Sequence, residues 1–305
     1  MHMEINNMLE EKVKELFPKF GFNKTKMILK INQKRLKKII DDNNLEKLRR
    51  INMEDFYDIK SKDISYFLGL LWSDGHVSKN NNMVNIECNS EDMLSFRKSL
   101  DSFGNWSFYN RKRERNKIEC KPLTNAYICD SLLKSFLVEN DFLEKSIKSP
   151  TKILSKIPKE LVKYFLLGII DGDGCFYFKK GKSNQFYLSG TYNQDWSQFE
   201  ILFKSIGVDI KKIKVENKSK YSAIRVTNVN DIKKIGDFIY SSIEKDNIGL
   251  KRKYEKYKLI VENLIHRNEI KEYIKKNIHK SKKELVSELN ITLSRINKII
   301  SEINS

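Results

Sequence analysis

Two acidic residues stand in matched settings 99 positions apart. Asp74 closes the run Phe67, Leu68, Gly69, Leu70, Leu71, Trp72, Ser73, and Asp173 closes Leu166, Leu167, Gly168, Ile169, Ile170, Asp171, Gly172. Each acid is followed at once by a glycine, Gly75 or Gly174. Two carboxylates forced together are unstable without a cation, and hard oxygen donors suit a divalent ion such as Mg²⁺ or Mn²⁺. The chemistry open to such a pair is metal-assisted hydrolysis. Taken singly, either acid reads as an ordinary helix-terminal Asp held in a turn. Asp171 with Asp173 suggests a calcium loop, but the position of that loop's bidentate acid is Lys182, which rules it out. No other metal set is visible. Cys88, Cys120, Cys129 and Cys175 have no C-x-x-C spacing, and His2, His76, His266 and His279 form no cluster.

Each acid needs an element to carry it. The runs before Asp74 and Asp173 read as short apolar helices with a glycine in the middle, where it costs ~1 kcal/mol against Ala unless close packing requires it. If the two helices pack through Gly69 and Gly168, the acids meet at the end of that interface. The elements after each run repeat in the same order. In the first copy, strands are expected at 76–79, 83–89, 106–110 and 123–129, with helices at 91–103 and 131–138. In the second, strands fall at 175–179, 186–192, 210–216 and 222–227, with helices at 196–206 and 231–243. Helices alternate with antiparallel hairpins in each copy, so the class is α+β.

A second repeat lies at the two ends. Residues 29–40 and 289–300 match at six of twelve positions with a constant shift of 260, sharing Leu29 and Leu289, Ile31 and Ile291, Arg35 and Arg295, and Lys38 and Lys298 among others. Each copy reads as helix, turn, amphipathic helix, with Thr292 capping the second helix and Ile296, Ile299 and Ile300 on its apolar stripe. That is the pattern of a helix-turn-helix, whose second helix enters a major groove. Lys34, Arg35, Lys37, Ser294, Arg295, Asn297 and Lys298 would face the DNA. A small helical hairpin with a basic surface would look the same. The expected domains are 1–52, 58–157, 158–262 and 263–305.

Composition narrows the partner. Of 305 residues, 58 are Lys or Arg against 40 Asp or Glu, for a net charge of +18, a field that gathers polyanions, nucleic acid first among them. Hydrophobic residues at 40% exclude a disordered polyelectrolyte. No apolar run nears the ~20 residues of a membrane span, and no signal peptide is expected, so the protein reads as soluble, without a membrane partner, in the cytoplasm of a bacterial or phage-infected cell.

The paired nonapeptides, each leading directly into strands, resemble those of LAGLIDADG homing endonucleases of the monomeric two-motif kind. The resemblance runs from about Asp63 to Tyr257, and residues 250–254 resemble that family's domain end. It implies two pseudo-symmetric αββαββα repeats forming a saddle on double-stranded DNA with a long target site. It implies metal held by Asp74 and Asp173 and by the backbone carbonyls of Ser73 and Gly172, activating water for in-line attack on a phosphodiester. The departure is Trp72 where Asp171 stands in the second copy, which fits a structural role for that position. For the family's basic group Arg225 is the candidate, with Gln194, Asn89 and Lys121 weaker ones.

The DNA-facing set in the first half is Lys79, Asn80, Asn85, Glu87, Arg111, Lys112, Arg113, Arg115 and Lys117. In the second half it is Tyr177, Lys179, Lys182, Gln185, Tyr187, Lys212, Lys214, Lys218 and Lys220. Each also reads as a solvated strand residue. Two other functions suit the same scaffold: a transcription regulator, whose relatives tend to lose the motif acids, and a maturase binding its host group I intron RNA. An intein-derived domain is not expected, because the chain starts at Met1 and Ile303, not His, precedes Asn304.

Overall fold

The computed structural model describes residues 2–45, 51–115, 118–179, 184–210, 213–216, 220–241 and 243–304. The chain forms two compact units, Met1–Asn52 and Met53–Ser305. In the first, α1 (His2–Leu29) is two helices merged at Gly21, whose φ of 71° breaks the run, and α2 (Gln33–Asp42) comes after a tight turn. Val13, Phe17, Ile31 and Leu36 make its small core.

The second unit opens with a short helix, α3 (Glu54–Tyr57), and then runs through two halves of the same order. The first half is α4 (Lys62–Ser73), β1 (Gly75–Val77), β2 (Met83–Asn89), α5 (Ser90–Phe103), β3 (Ser107–Arg115), β4 (Ile118–Cys129) and α6 (Ser131–Glu139). A short α7 (Thr151–Leu154) precedes the second half. That half is α8 (Val162–Asp173), β5 (Gly174–Tyr177), β6 (Gln185–Thr191), α9 (Ser197–Ser205), β7 (Ile213–Glu216), β8 (Tyr221–Val226) and α10 (Val229–Tyr240). The sheets have the same antiparallel order, β1-β2-β4-β3 and β5-β6-β8-β7. The expected α+β class and its two αββαββα repeats are what the structure holds. After α11 (Ile243–Asp246), the long α12 (Lys251–Lys276) leads to α13 (Lys282–Leu289) and α14 (Leu293–Asn304).

Expected and observed elements differ mainly at one hairpin. The charged stretch at 111–115 lacks the apolar alternation that marks a strand, yet β3 and β4 pair from Ser107 opposite Tyr127 out to Arg115 opposite Ile118, across a register shift between Arg111 and Arg113. Cross-strand pairing carries that extension. β7 is described from Ile213, and residues 211 and 212 lie outside the described residues.

The motif helices are apolar on every side because both sides are covered. Residues Ile64–Trp72 of α4 and Tyr164–Asp171 of α8 are buried throughout. One side of each meets the other helix, and the far side meets the core of its own half. There Phe67 packs with Phe103 and Trp106 at ring-centroid distances of 4.8 and 5.2 Å, and Phe176 packs with Phe186 and Tyr257 at 5.1 and 5.6 Å. Polar ties join the halves. Arg252 grips Asp92 with two bonds of 2.8 and 2.6 Å, Lys62 reaches Asp246 at 2.8 Å, and the Tyr66 hydroxyl donates to Asp171 at 2.8 Å.

Candidate functional site

The site is set by backbone proximity between α4 and α8. A Cβ built on Gly69 would lie 1.9 Å from the Phe165 carbonyl oxygen, and one on Gly168 would lie 2.1 Å from that of Tyr66. Only hydrogen fits at either place. Farther along, a Cβ on Gly172 would fall 2.1 Å from Ser73 Oγ and 3.2 Å from the Asp74 carboxyl carbon. The helices stay this close to their ends, where Asp74 is the C-cap of α4 and Asp173 the last residue of α8. The expected meeting of the two acids therefore occurs.

Both side chains reach solvent, although protein crowds them from behind. Dehydration pushes Asp173 up to about 6, and the charge of Asp74 adds to the rise. Dehydration also holds Asp74 above the usual carboxylate range, against the pull of Lys253 and Lys145. Among the described residues no hydrogen-bond donor reaches either carboxylate, whereas Asp92, Asp141, Asp171 and Asp246 each have donors. Asp171, expected to be structural, accepts from the Tyr66 hydroxyl and from the Leu250 backbone at 2.9 Å. Trp72, its counterpart, packs edge-on against Phe142 at 5.1 Å.

Two lysines complete the site. Lys145 donates to the carbonyls of Leu71 (2.8 Å) and Ser73 (2.6 Å), at the end of α4. Lys253 donates to those of Ile170 (2.7 Å), Asp171 (2.6 Å) and Gly174 (2.7 Å), with Gly172 at 3.4 Å, at the end of α8. Each ammonium satisfies orphan carbonyls and sits at the negative pole of its helix. Burial lowers both; Lys145 falls to about 8 while Asp173 and Asp74 pull it upward. Neither lysine is among the residues expected from sequence. The signal that could have found them is a third repeat: Lys253 comes three residues after Leu250 as Lys145 does after Phe142, at a shift of 108. Removing Lys145 strands two carbonyls and withdraws a cation from the acids. Lys145→Met is expected to cost about 1–3 kcal/mol of stability for the stranded carbonyls, read by urea unfolding. It should also raise the titration midpoint of the aspartate pair, followed by carboxyl NMR.

The other candidates lie elsewhere. Arg225 is exposed on β8, opposite Tyr187, with its guanidinium 5.6 Å over that ring, and it is not among the main charges acting on Asp74 or Asp173. Gln194 donates to the Lys148 carbonyl (2.7 Å), Asn89 caps α5, and Lys121 pairs with Glu91 (2.8 Å). Asn85 and Glu87 share the outer face of the first sheet with His76, Tyr109 and Tyr127, and Glu87 is bonded by Arg111 at 2.7 Å. Arg113 and Arg115 stand on β3 opposite Cys120 and Ile118; Lys79, Asn80 and Lys112 are exposed. In the second sheet Tyr177 pairs across from Gln185, which accepts the Tyr187 hydroxyl, and Lys179 is exposed just beyond β5. Lys214 bonds the Tyr221 hydroxyl at 2.9 Å, and Lys220 lies 5.1 Å over the Tyr192 ring. Lys117, Lys182, Lys212 and Lys218 lie outside the described residues.

The donors present fit a hard divalent cation. Two unbonded carboxylates and the carbonyls of Ser73 and Gly172 offer oxygen only. The Ser73 carbonyl already accepts from Lys145 and the Gly172 carbonyl, at longer range, from Lys253, which leaves each a lone pair. Among the described residues no cluster of three or more His, Cys, Asp or Glu side chains competes for a metal.

No family model matches the chain. A probable translation initiation factor IF-2 of Methanocaldococcus jannaschii is 32% identical over 206 residues, which cover 64% of this chain and 17% of that protein; the chain thus spans under a fifth of that relative. Similar solved structures include the homing endonuclease I-WcaI bound to its DNA recognition sequence (16% identity, TM-score 0.45, 67% of this chain and 91% of that one). They also include the LAGLIDADG homing endonuclease I-SmaMI bound to cleaved DNA (15%, 0.43, 67% and 90%). Full-length DUF199/WhiA from Thermatoga maritima is similar too (15%, 0.39, 80% and 91%). The two αββαββα halves, their repeated sheet order and the glycine-packed motif helices are the arrangement that the resemblance to LAGLIDADG proteins implies.

Proposed function

We propose that the protein is a site-specific double-strand DNA endonuclease of the homing type, using Mg²⁺ or Mn²⁺. The observation that carries this reading is the pair of unbonded, solvent-reaching carboxylates at one junction. A binding protein gains nothing from two like charges held together there, whereas Asp92, Asp141, Asp171 and Asp246 each accept at least one hydrogen bond. A divalent ion held by Asp74, Asp173 and the Ser73 and Gly172 carbonyls would supply Lewis acidity toward a phosphodiester and offset the repulsion of the acids.

The chain's own residues do the rest. Gly69 and Gly168 bring the two acids together, so that each strand of a duplex meets one half of a near-symmetric site. Lys145 and Lys253 fix the helix ends and bias both acids toward the ionised form. The outer faces of the two sheets, with their lysines, arginines and amides, contact phosphates and base edges. The protein acts as a monomer, because one chain holds both halves.

The test is cleavage of a plasmid library carrying randomised inserts, with Mg²⁺ and with EDTA. Linear product with defined ends, only when Mg²⁺ is present, is the expected result. Tight sequence-selective binding with no cut under Mg²⁺ or Mn²⁺ would instead make it a regulator on the same fold.

A further inference from the structure

The repeat at the chain's two ends is also a repeat in structure. In the C-terminal part, Ile270 and Ile274 of α12 pack with Leu285, Ile296 and Ile299, and Leu289, Ile291 and Ile300 close round them. In the N-terminal unit the equivalent positions, Val13, Phe17, Ile31 and Leu36 with Leu29, Ile39 and Ile40, do the same. The turns agree in detail. Lys30 and Asn290, 260 positions apart, both take the left-handed conformation, with φ of 49° and 48°. Asn32 and Thr292 then cap the last helix through their side chains. A non-glycine residue rarely adopts that φ, so its recurrence marks one shared turn geometry.

The faces of α14 divide by chemistry. Its far end is tied to α12, where Arg267 grips Glu302 at 2.5 and 2.7 Å and Lys271 bonds the Glu302 carbonyl at 3.1 Å. Its exposed first turns carry Ser294, Arg295, Asn297 and Lys298, and the side chains of Arg295 and Lys298 have no partner among the described residues. Leu293, 49% exposed, adds an apolar group of the kind that meets a thymine methyl. The matching turns of α2 expose Gln33, Lys34 and Lys37.

The rod between this part and the acids is a single helix. α12 is 26 residues long; it places Lys253, Tyr257 and Ile260 in the second half and Ile270 and Ile274 in the terminal core, and no residue from 261 to 269 is buried. From Lys253 to Ile270 is roughly 25 Å at 1.5 Å per residue. Such a helix fixes distance where a loop would not.

We propose that α13 and α14, with the end of α12, form a helix-turn-helix DNA-reading module held by α12 at one spacing from Asp74 and Asp173, and that the N-terminal unit is its copy. The proposal rests on the endonuclease reading only in taking duplex DNA as the ligand of the central sheets. The first turns of α14 enter the major groove, with Arg295, Asn297 and Lys298 on base edges and phosphates.

The experiment is selection from a random 60-bp duplex pool, followed by footprinting, with three full-length proteins. One is the wild type, one carries Arg295→Ala, Asn297→Ala and Lys298→Ala, and one has seven helical residues inserted after Leu264. The wild type is expected to select a central site and a flank at one fixed spacing. The triple substitution should erase the flank alone and weaken binding to the flank-bearing duplex at least about tenfold. Seven residues lengthen α12 by ~10 Å and turn it by only ~20°, so the spacing between the central site and the flank should change. Identical selected sites for all three proteins, or no flank in the wild type, would overturn the module. Selected DNA that is cut but shows no response to the variants removes this inference and keeps the endonuclease reading. A responsive flank on DNA that is never cut does the reverse.

Discussion

Asp74→Asn and Asp173→Asn are each expected to reduce Mg²⁺-dependent strand cleavage at least about 1,000-fold, ~4 kcal/mol of barrier, and to leave DNA affinity within a few fold. The asymmetry arises from where the two functions sit. On the proposed reading, affinity for duplex DNA would come from the outer sheet faces and a net charge of +18, which one Asp→Asn change alters by a single unit. Cation binding would rest on two carboxylates, and among the described residues no cluster of acids stands ready to replace them. The measurement pairs a plasmid-nicking assay with a filter-binding titration in EDTA, and full cleavage by either variant removes the site assignment.

The same variants carry a second, opposite signature. Asp173 in the folded chain sits near 6, above its unfolded value, because dehydration and the charge of Asp74 disfavour its ionised form. The folded state therefore binds a proton more tightly than the unfolded one between those two values. Without metal, stability should fall as pH rises from about 4 through 6 and be lowest above it. Asp173→Asn removes that dependence and melts above the wild type at pH 7 in EDTA, a gain that adding Mg²⁺ to the wild type should offset. A variant that melted lower than wild type would show that Asp173 has a structural partner after all. A residue that is costly to the fold and required for cutting is held there for its chemistry.

How far the site was readable depended on how local its cause was. The acids were readable because motif, glycine and helix end lie within nine residues, and the repeat at a shift of 99 tied them to each other. β2 was readable to the residue because Val84 and Ile86 alternate with Asn85 and Glu87 on a half-buried sheet. Lys145 and Lys253 were not. They lie 71 and 80 residues after their acids among 58 basic residues, and what distinguishes them is burial against helix-end carbonyls. Arg225 lies on a predicted strand, and its position on that central strand puts it over Tyr187. Position along a strand does not tell which end of a helix a side chain reaches.

Gly69→Ala and Gly168→Ala should each do more damage to the fold than any exposed substitution in the chain. Added methyl groups usually cost ~1–3 kcal/mol when neighbouring side chains can shift. Here the atoms in the way are backbone carbonyl oxygens, of Phe165 at 1.9 Å and Tyr66 at 2.1 Å from the new Cβ. They cannot rotate aside, so the helices must separate by more than an ångström along their whole shared face. That opens the interface around Tyr66, Leu70 and Ile169, all buried, and loosens the Tyr66 bond to Asp171. A loss above about 3 kcal/mol is expected, which for a unit of this size lowers the melting temperature by roughly 6–12 °C. The intrinsic helix preference of Ala over Gly works the other way by ~1 kcal/mol, so the net sign itself discriminates. If the helices met elsewhere, both variants would be stabilised. Differential scanning calorimetry at pH 7 decides between the two, and a Tm equal to or above wild type for either variant would mean that α4 and α8 do not touch at these glycines.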